Sequence, residues 1–253
     1  LELKIESLRR KEQERERKEQ ERPNSTLATK TPTVKKLIGL FEEYVNLSSQ
    51  SKYGTYFAYC FDTALARIEM SGIEYNKEDI EQFARVLSTL SKEINESELW
   101  RAGPFLSALI KYIEKDGLVV KLDLRKVPFR INGLGMRLEK AHLIVYSDRC
   151  VGDVGYGLNG ATLEVYGNIF CHVGCNMKKG KIIIHGTVEG DEHNSIGYDM
   201  KTGEIFVESA FNVEVYRPNH SNGKIVIKRG DKISCCGYSG NYGTIIVDGE
   251  KRF

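Results

Sequence analysis

The chain of 253 residues is short of several things, and each shortage excludes a class of protein. It has almost no excess of either charge. Its 37 basic against 35 acidic side chains leave a net charge of +2, too small to point to nucleic acid or an anionic membrane as a partner. No stretch approaches the ~20 consecutive apolar residues of a membrane span, and the N-terminal run is charged and lacks an apolar signal core. A soluble, cytoplasmic protein is expected. Six cysteines is a low density without the framework of small secreted domains, so the thiols are expected to be reduced. The Asn-x-Ser/Thr triplets at Asn46, Asn95 and Asn219 carry weight only in a secreted chain.

What is present divides into three parts. Residues 1–32 are a mixed-sign charged run, with a short apolar stripe at Leu1, Ile5 and Leu8, followed by a linker from Pro23 to Pro32. Such a run forms a solvated helix through i,i+4 pairs but buries little. Residues 33–116 carry helical periodicity: Leu37, Leu40, Phe41 and Tyr44, then Phe57, Cys60, Phe61, Ala64 and Ile68. Asn76 is placed to cap a third helix through Ile80, Phe83 and Leu87, and Pro104 suits the first turn of a fourth, with Asp116-Gly117 as its stop. Trp100, Tyr53, Tyr56 and Tyr59 lie among apolar helical positions and read as packing residues of a small bundle.

The period changes at residue 117. Val119 to Leu124 alternates by two, and this edge strand is expected to cap the open end of a stack. From Gly135 to Gly249 the chain repeats about every twenty residues. A small residue precedes each predicted strand at Ala141, Ala161, Gly180, Gly203, Gly223 and Gly243, and a corner column six residues earlier reads Gly135, Gly155, Gly174, Gly197, Arg217 and Gly237. Two aliphatic columns follow, Leu143, Leu163, Ile182, Ile205, Ile225 and Ile245, then Val145, Val165, Ile184, Val207, Ile227 and Val247. Alternation by two sends both to one face, as interior ladders of a solenoid of about six coils. Leu138, Leu158, Met177 and Met200 make a third interior column. The fold class expected is α+β: an all-α bundle, 33–116, followed by a parallel β-helix, 117–253.

The copies Gly174-x-x-Met177-x-x-Gly180-x-Ile182-x-Ile184 and Gly197-x-x-Met200-x-x-Gly203-x-Ile205-x-Val207 resemble the glycine-rich GXGXG repeat. That repeat closes the large subunit of glutamate synthase and also occurs in formylmethanofuran dehydrogenase, where it makes up one of the subunits. The resemblance covers about residues 131–250, with Arg217, Ser147 and Ser209 departing from the glycine columns. It implies a right-handed β-helix that scaffolds and docks while chemistry resides elsewhere.

Two clusters hold candidate chemistry. Cys150, Cys171, His172 and Cys175 fall in adjoining loops, and thiolates with imidazole suit zinc, although the paired CxxC knuckles of a strong zinc signature are missing. His185 and His193, with Glu189, Asp191 and Glu192, sit on the insertion that lengthens one spacing to 23, and could bind a cation or act as acid and base. Gly152-x-x-Gly155-x-Gly157 belongs to the repeat columns and opens no helix, so it is no dinucleotide fingerprint. The register of about 20 also argues against a hexapeptide acyltransferase, whose period is about 18. No catalytic or cofactor-binding residue is assigned. The expected function is a non-catalytic scaffold or assembly module docking a partner protein, or a second copy, through a β-helix face. The alternative is an accessory enzyme subunit or small metal-dependent enzyme using the Cys/His cluster.

Overall fold

A computed structural model describes residues 30–50, 57–90, 94, 96–148, 151–190, 194–220, 222–236 and 243–252. The charged run before residue 30, Tyr53, Tyr56 and the sixth corner at Gly237 lie outside the described residues. Thr31–Phe253 make one compact unit, with a continuous apolar core that runs from the helices into the solenoid. No helix among the described residues is long and apolar enough to cross a membrane.

The helices are α1 (Pro32–Gln50), α2 (Phe57–Ser71), α3 (Lys77–Leu90), the single turn α4 (Glu96–Leu99) and α5 (Ala102–Ile113). The apolar stripes read from the sequence are the buried faces: Leu37, Phe41, Tyr44, Cys60, Phe61, Ala64, Ile68, Ile80, Phe83 and Leu87 are all 0–2% exposed. Asn76 caps α3 reciprocally, its Oδ1 accepting the Asp79 amide at 3.0 Å while its own amide donates to Asp79 Oδ2 at 3.2 Å. Pro104 lies in the first turn of α5. Trp100 packs edge-on against Phe57 at 5.4 Å, while Tyr59 stays 36% exposed, outside the packing role expected of it.

The strands coil three-sidedly. The first side stacks β1 (Val119–Asp123), β2 (His142–Tyr146), the end of β4 (Asn159–Tyr166), the starts of β6 (Lys179–Glu189) and β8 (Glu204–Tyr216), β9 (Lys224–Ile227) and β11 (Thr244–Val247), all parallel. Its interior ladders match the sequence columns residue for residue, from Leu143 to Ile245 and from Val145 to Val247, each member at most 3% exposed. The second side pairs β3 (Val151–Val154), β5 (Ile169–Val173), the end of β6, the middle of β8 and β10 (Gly230–Cys236), and buries Val151, Ile169, Val188 and Ala210. The third runs through Val154, Val173, β7 (Ser195–Ile196) and Val215. Leu138, Leu158, Met177 and Met200 fill a corner, all fully buried.

The corner glycines interlock successive coils. Gly174 has φ +68°, and a Cβ there would lie 2.6 Å from Cδ1 of Ile205 in the next coil. Gly135, Gly155 and Gly197 repeat both features. Left-handed backbone and an aliphatic tip from the neighbouring coil thus select glycine together.

Two expectations are corrected. β1 is the end strand of the first side, as expected, but it does not close the stack alone: it pairs with β2, and α3 packs on it, Glu81 accepting the Lys121 amide at 2.9 Å. The end of the stack is covered by α5, buried from Ala102 to Ile110. Ser107 Oγ accepts the amides of Gly135 and Met136 at 3.0 and 3.3 Å, and Glu114 Oε1 accepts those of Glu139, Lys140 and Ala141 at 2.7–2.9 Å. An edge strand has a ladder edge left to satisfy, whereas the interior of a helix bonds its own backbone groups, so a helix makes the better lid. The fifth corner also differs. Pairing sets Val215 against Ile196, so Tyr216 takes the place of Gly197, and the adjacent Arg217 donates its Nε–H to the Gly243 carbonyl at 2.7 Å. Pro218 fills the widened turn against Gly223 and Gly243, while β8, β9 and β11 stay in register. At the far end Asp248 and Gly249, both at positive φ, turn the chain into β12 (Glu250–Lys251), which closes the stack antiparallel on β11.

Glu114→Ala strips three amides of their acceptor and is expected to lower stability by about 2–4 kcal/mol in urea unfolding, with an unchanged slope. Gly174→Ala should cost about 1–3 kcal/mol, part of it recovered in the double variant with Ile205→Val; additive losses would remove the interlock.

Candidate functional site

The regular coil breaks at the turn between the second and third sides. Left-handed residues recur there, Asp153, Cys171, Asn212 and Lys232. Gly152 faces Phe170 and Val154 faces Val173, so the single residue Asp153 on β3 opposes Cys171 and His172 on β5. This bulge is held by the Asp153 carboxylate, whose Oδ1 accepts the His172 amide at 3.4 Å.

The His172 ring is fixed by Ser195 in the following coil. The Ser195 amide donates to His172 Nδ1 at 3.1 Å, and the Ser195 Oγ lies 2.9 Å from the same nitrogen. A backbone N–H can only donate, so Nδ1 is the acceptor of that bond. Cys175 Sγ lies 3.6 Å from Ser195 Oγ. Burial pushes the Cys175 thiol up to about 11, so it stays protonated at neutral pH. Burial likewise lifts the Asp153 carboxyl above its ordinary value, against the pull of nearby His172 and Arg130.

These groups floor a cleft of about 360 Å³. Its wall is aromatic: Tyr156, Tyr198 and Tyr216 from three coils, with Phe57 from the start of α2. Tyr198 and Tyr216 meet at right angles, 84° with centroids 5.0 Å apart, and Tyr216 donates its hydroxyl to Glu214 at 2.6 Å. Asn176 completes the lining.

Of the expected zinc ligands, Cys150 lies outside the described residues. Cys171 sits in the bulge, and His172 and Cys175 meet at Ser195 as a hydrogen-bonded trio. Among the described residues no group of three or more His, Cys, Asp and Glu is arranged to hold a metal. The two described members of the second cluster lie on different sides of the coil. His185 belongs to the first side, stacked on Tyr166 at 4.2 Å and bonded to Glu164 at 2.7 Å, while Glu189 ends β6 on the second side. His193, Asp191 and Glu192 lie outside the described residues. Glu164 also takes His142 at 3.2 Å and the Tyr166 hydroxyl at 2.8 Å; burial pushes its carboxyl up, but the hydrogen bonds from His185 and Tyr166 outweigh it and hold it below its ordinary value.

The sequence reading missed Asp153, Ser195 and the tyrosines, although the repeat columns held the signal. Two residues before successive corner glycines stand Asp153, His172 and Ser195, and one residue after them stand Tyr156, Cys175 and Tyr198. Extending the alignment to the outward positions places all six in two adjoining columns.

Comparison of the chain with known proteins finds no matching family model, no matching curated protein and no matching solved structure.

Because the folded protein holds the Asp153 proton above the unfolded value, this residue's contribution to stability is present at low pH and is lost as pH rises through the folded value. Asp153→Asn, which tolerates the same left-handed backbone, is expected to be more stable than the parent at pH 7, with the difference shrinking as pH falls into the ordinary carboxylate range in pH-dependent urea unfolding.

Proposed function

We propose that the chain is a non-catalytic scaffold or assembly module that docks a partner protein through the outward surface of the first side. The observation that carries this reading is an apolar column on that surface. Ile183, Phe206, Val226 and Ile246 stand in register on four consecutive rungs. At ~4.8 Å per rung the column runs about 14 Å along the stack. All four are half-buried by their neighbours in the stack, and each keeps part of its surface open. Charged pairs flank them, Lys181 with Glu204 on one side and Lys228 with Glu208 on the other. An apolar centre within a charged rim is the anatomy of a protein interface. The resemblance to the GXGXG repeat, whose part in its enzymes is docking, supports the same reading.

Phe206 is the largest side chain of the column. Phe206→Glu is expected to weaken a stoichiometric complex, or self-association, at least about tenfold while leaving the melting temperature within a few degrees. Analytical ultracentrifugation of the purified chain and of complexes isolated from its source checks this. A chain that stays monomeric at high concentration and has no stoichiometric partner would overturn the proposal.

A further inference from the structure

The cleft at the bulge lies apart from the docking surface and takes no part in it. We propose that it binds a small organic cation, an alkylammonium or quaternary ammonium group, seated between the tyrosine rings above the Asp153 carboxylate. Three observations lead there. The first is charge. Among the described residues that line the cleft there is one carboxylate, Asp153, and no lysine or arginine. Arg130, which pulls on the Asp153 carboxyl from outside the lining, is engaged over the Phe170 ring at 4.1 Å. Glu214, next in the same outward column as Ser195, places a second carboxylate beside the Tyr216 hydroxyl.

The second observation is the wall. Tyr198 and Tyr216 stand perpendicular, and Tyr156 and Phe57 close the cleft from other elements. Aromatic rings clustered around a cleft offer electron-rich faces that attract a cation more strongly than its uncharged isostere. The third is the floor. Asp153 is largely withdrawn from water, which disfavours its charged form and lifts its carboxyl above the ordinary value. A ligand cation restores the ionised form, so the group that is costly in the empty cleft becomes the anchor of the filled one. A volume of about 360 Å³ admits a head group with a short substituent.

None of this depends on the first side of the solenoid, so the cleft and the docking surface fail or stand separately. The experiment titrates the full chain with choline and, in parallel, with its uncharged carbon isostere 3,3-dimethylbutan-1-ol, followed by calorimetry and tyrosine fluorescence at matched ionic strength. Choline is expected to saturate with a Kd in the millimolar range or below, and the isostere to bind at least about tenfold more weakly. Tyr198→Ala, at a position 46% exposed and therefore harmless to folding, should lose at least about fivefold, and Asp153→Asn a similar factor. Equal binding of the isostere would reduce the cleft to an apolar hollow and overturn the proposal. So would choline binding that neither substitution changes, or no saturation by choline up to about 10 mM, well above the Kd expected of such a site.

Discussion

A parallel stack hands every coil's amides and carbonyls to the next coil, so its first and last coils must find partners outside the repeat. The rest of this structure depends on how that is met. At the start, α5 lies across the opening as an almost wholly buried helix, and two of its polar groups do what a missing coil would do. Ser107 takes two amides of the first turn, and the Glu114 carboxylate takes three more at the helix end. A Cβ at Gly103 would collide with the Asn132 carbonyl, so the contact is close enough to require glycine. The helices are therefore a lid continuous with the solenoid core. At the other end a tight turn folds the chain back on itself, and the reversed direction of β12 stops the parallel pattern.

Between the two ends, regularity is enforced by the interlock of corner glycines with aliphatic tips of the following coil. Departures from it are confined to places where another residue supplies what was lost. Arg217 bonds the Gly243 carbonyl, and Pro218 packs into the wider fifth turn. The bulge at Cys171–His172 is braced by Asp153 on one side and Ser195 on the other. Because each irregularity is local, the inner ladders pass it undisturbed, and the outer surface acquires a cleft without loss of core. This separation of a uniform inside from an uneven outside lets one solenoid carry both a flat apolar column and a tyrosine-walled hollow with a polar floor.

The inner columns were legible because they depend only on periodicity. Each aliphatic from Leu143 to Val247 recurs at a fixed offset from a small residue, and burial follows from alternation. Asn76 and Pro104 were legible for a similar reason, since a cap and a first-turn proline act within one turn of chain. The candidate site was not. His172 and Ser195 share a column two residues before the corner glycines, but that their side chains bond while Cys171 is turned aside is decided by the packing of the coils. Treating Cys171, His172 and Cys175 as a ligand set assumes that near neighbours in sequence point the same way. In the strand, Cys171 takes a left-handed turn, and His172 and Cys175 converge on a serine instead. Asp248-Gly249 closes the last repeat by its spacing, although the same dipeptide is also a hairpin signal.

By itself the amino-acid order determined the number of coils, the direction of their inward faces, the helical character of the region before them and the positions where glycine is required. All of these follow from short-range periodicity and backbone sterics. Only the tertiary structure decided that a helix closes the stack, that Tyr216 displaces Arg217 at the fifth corner, and that Asp153, His172 and Ser195 share one cleft. Those outcomes depend on which coil lies against which, and a one-residue bulge changes the answer without altering the pattern on either side.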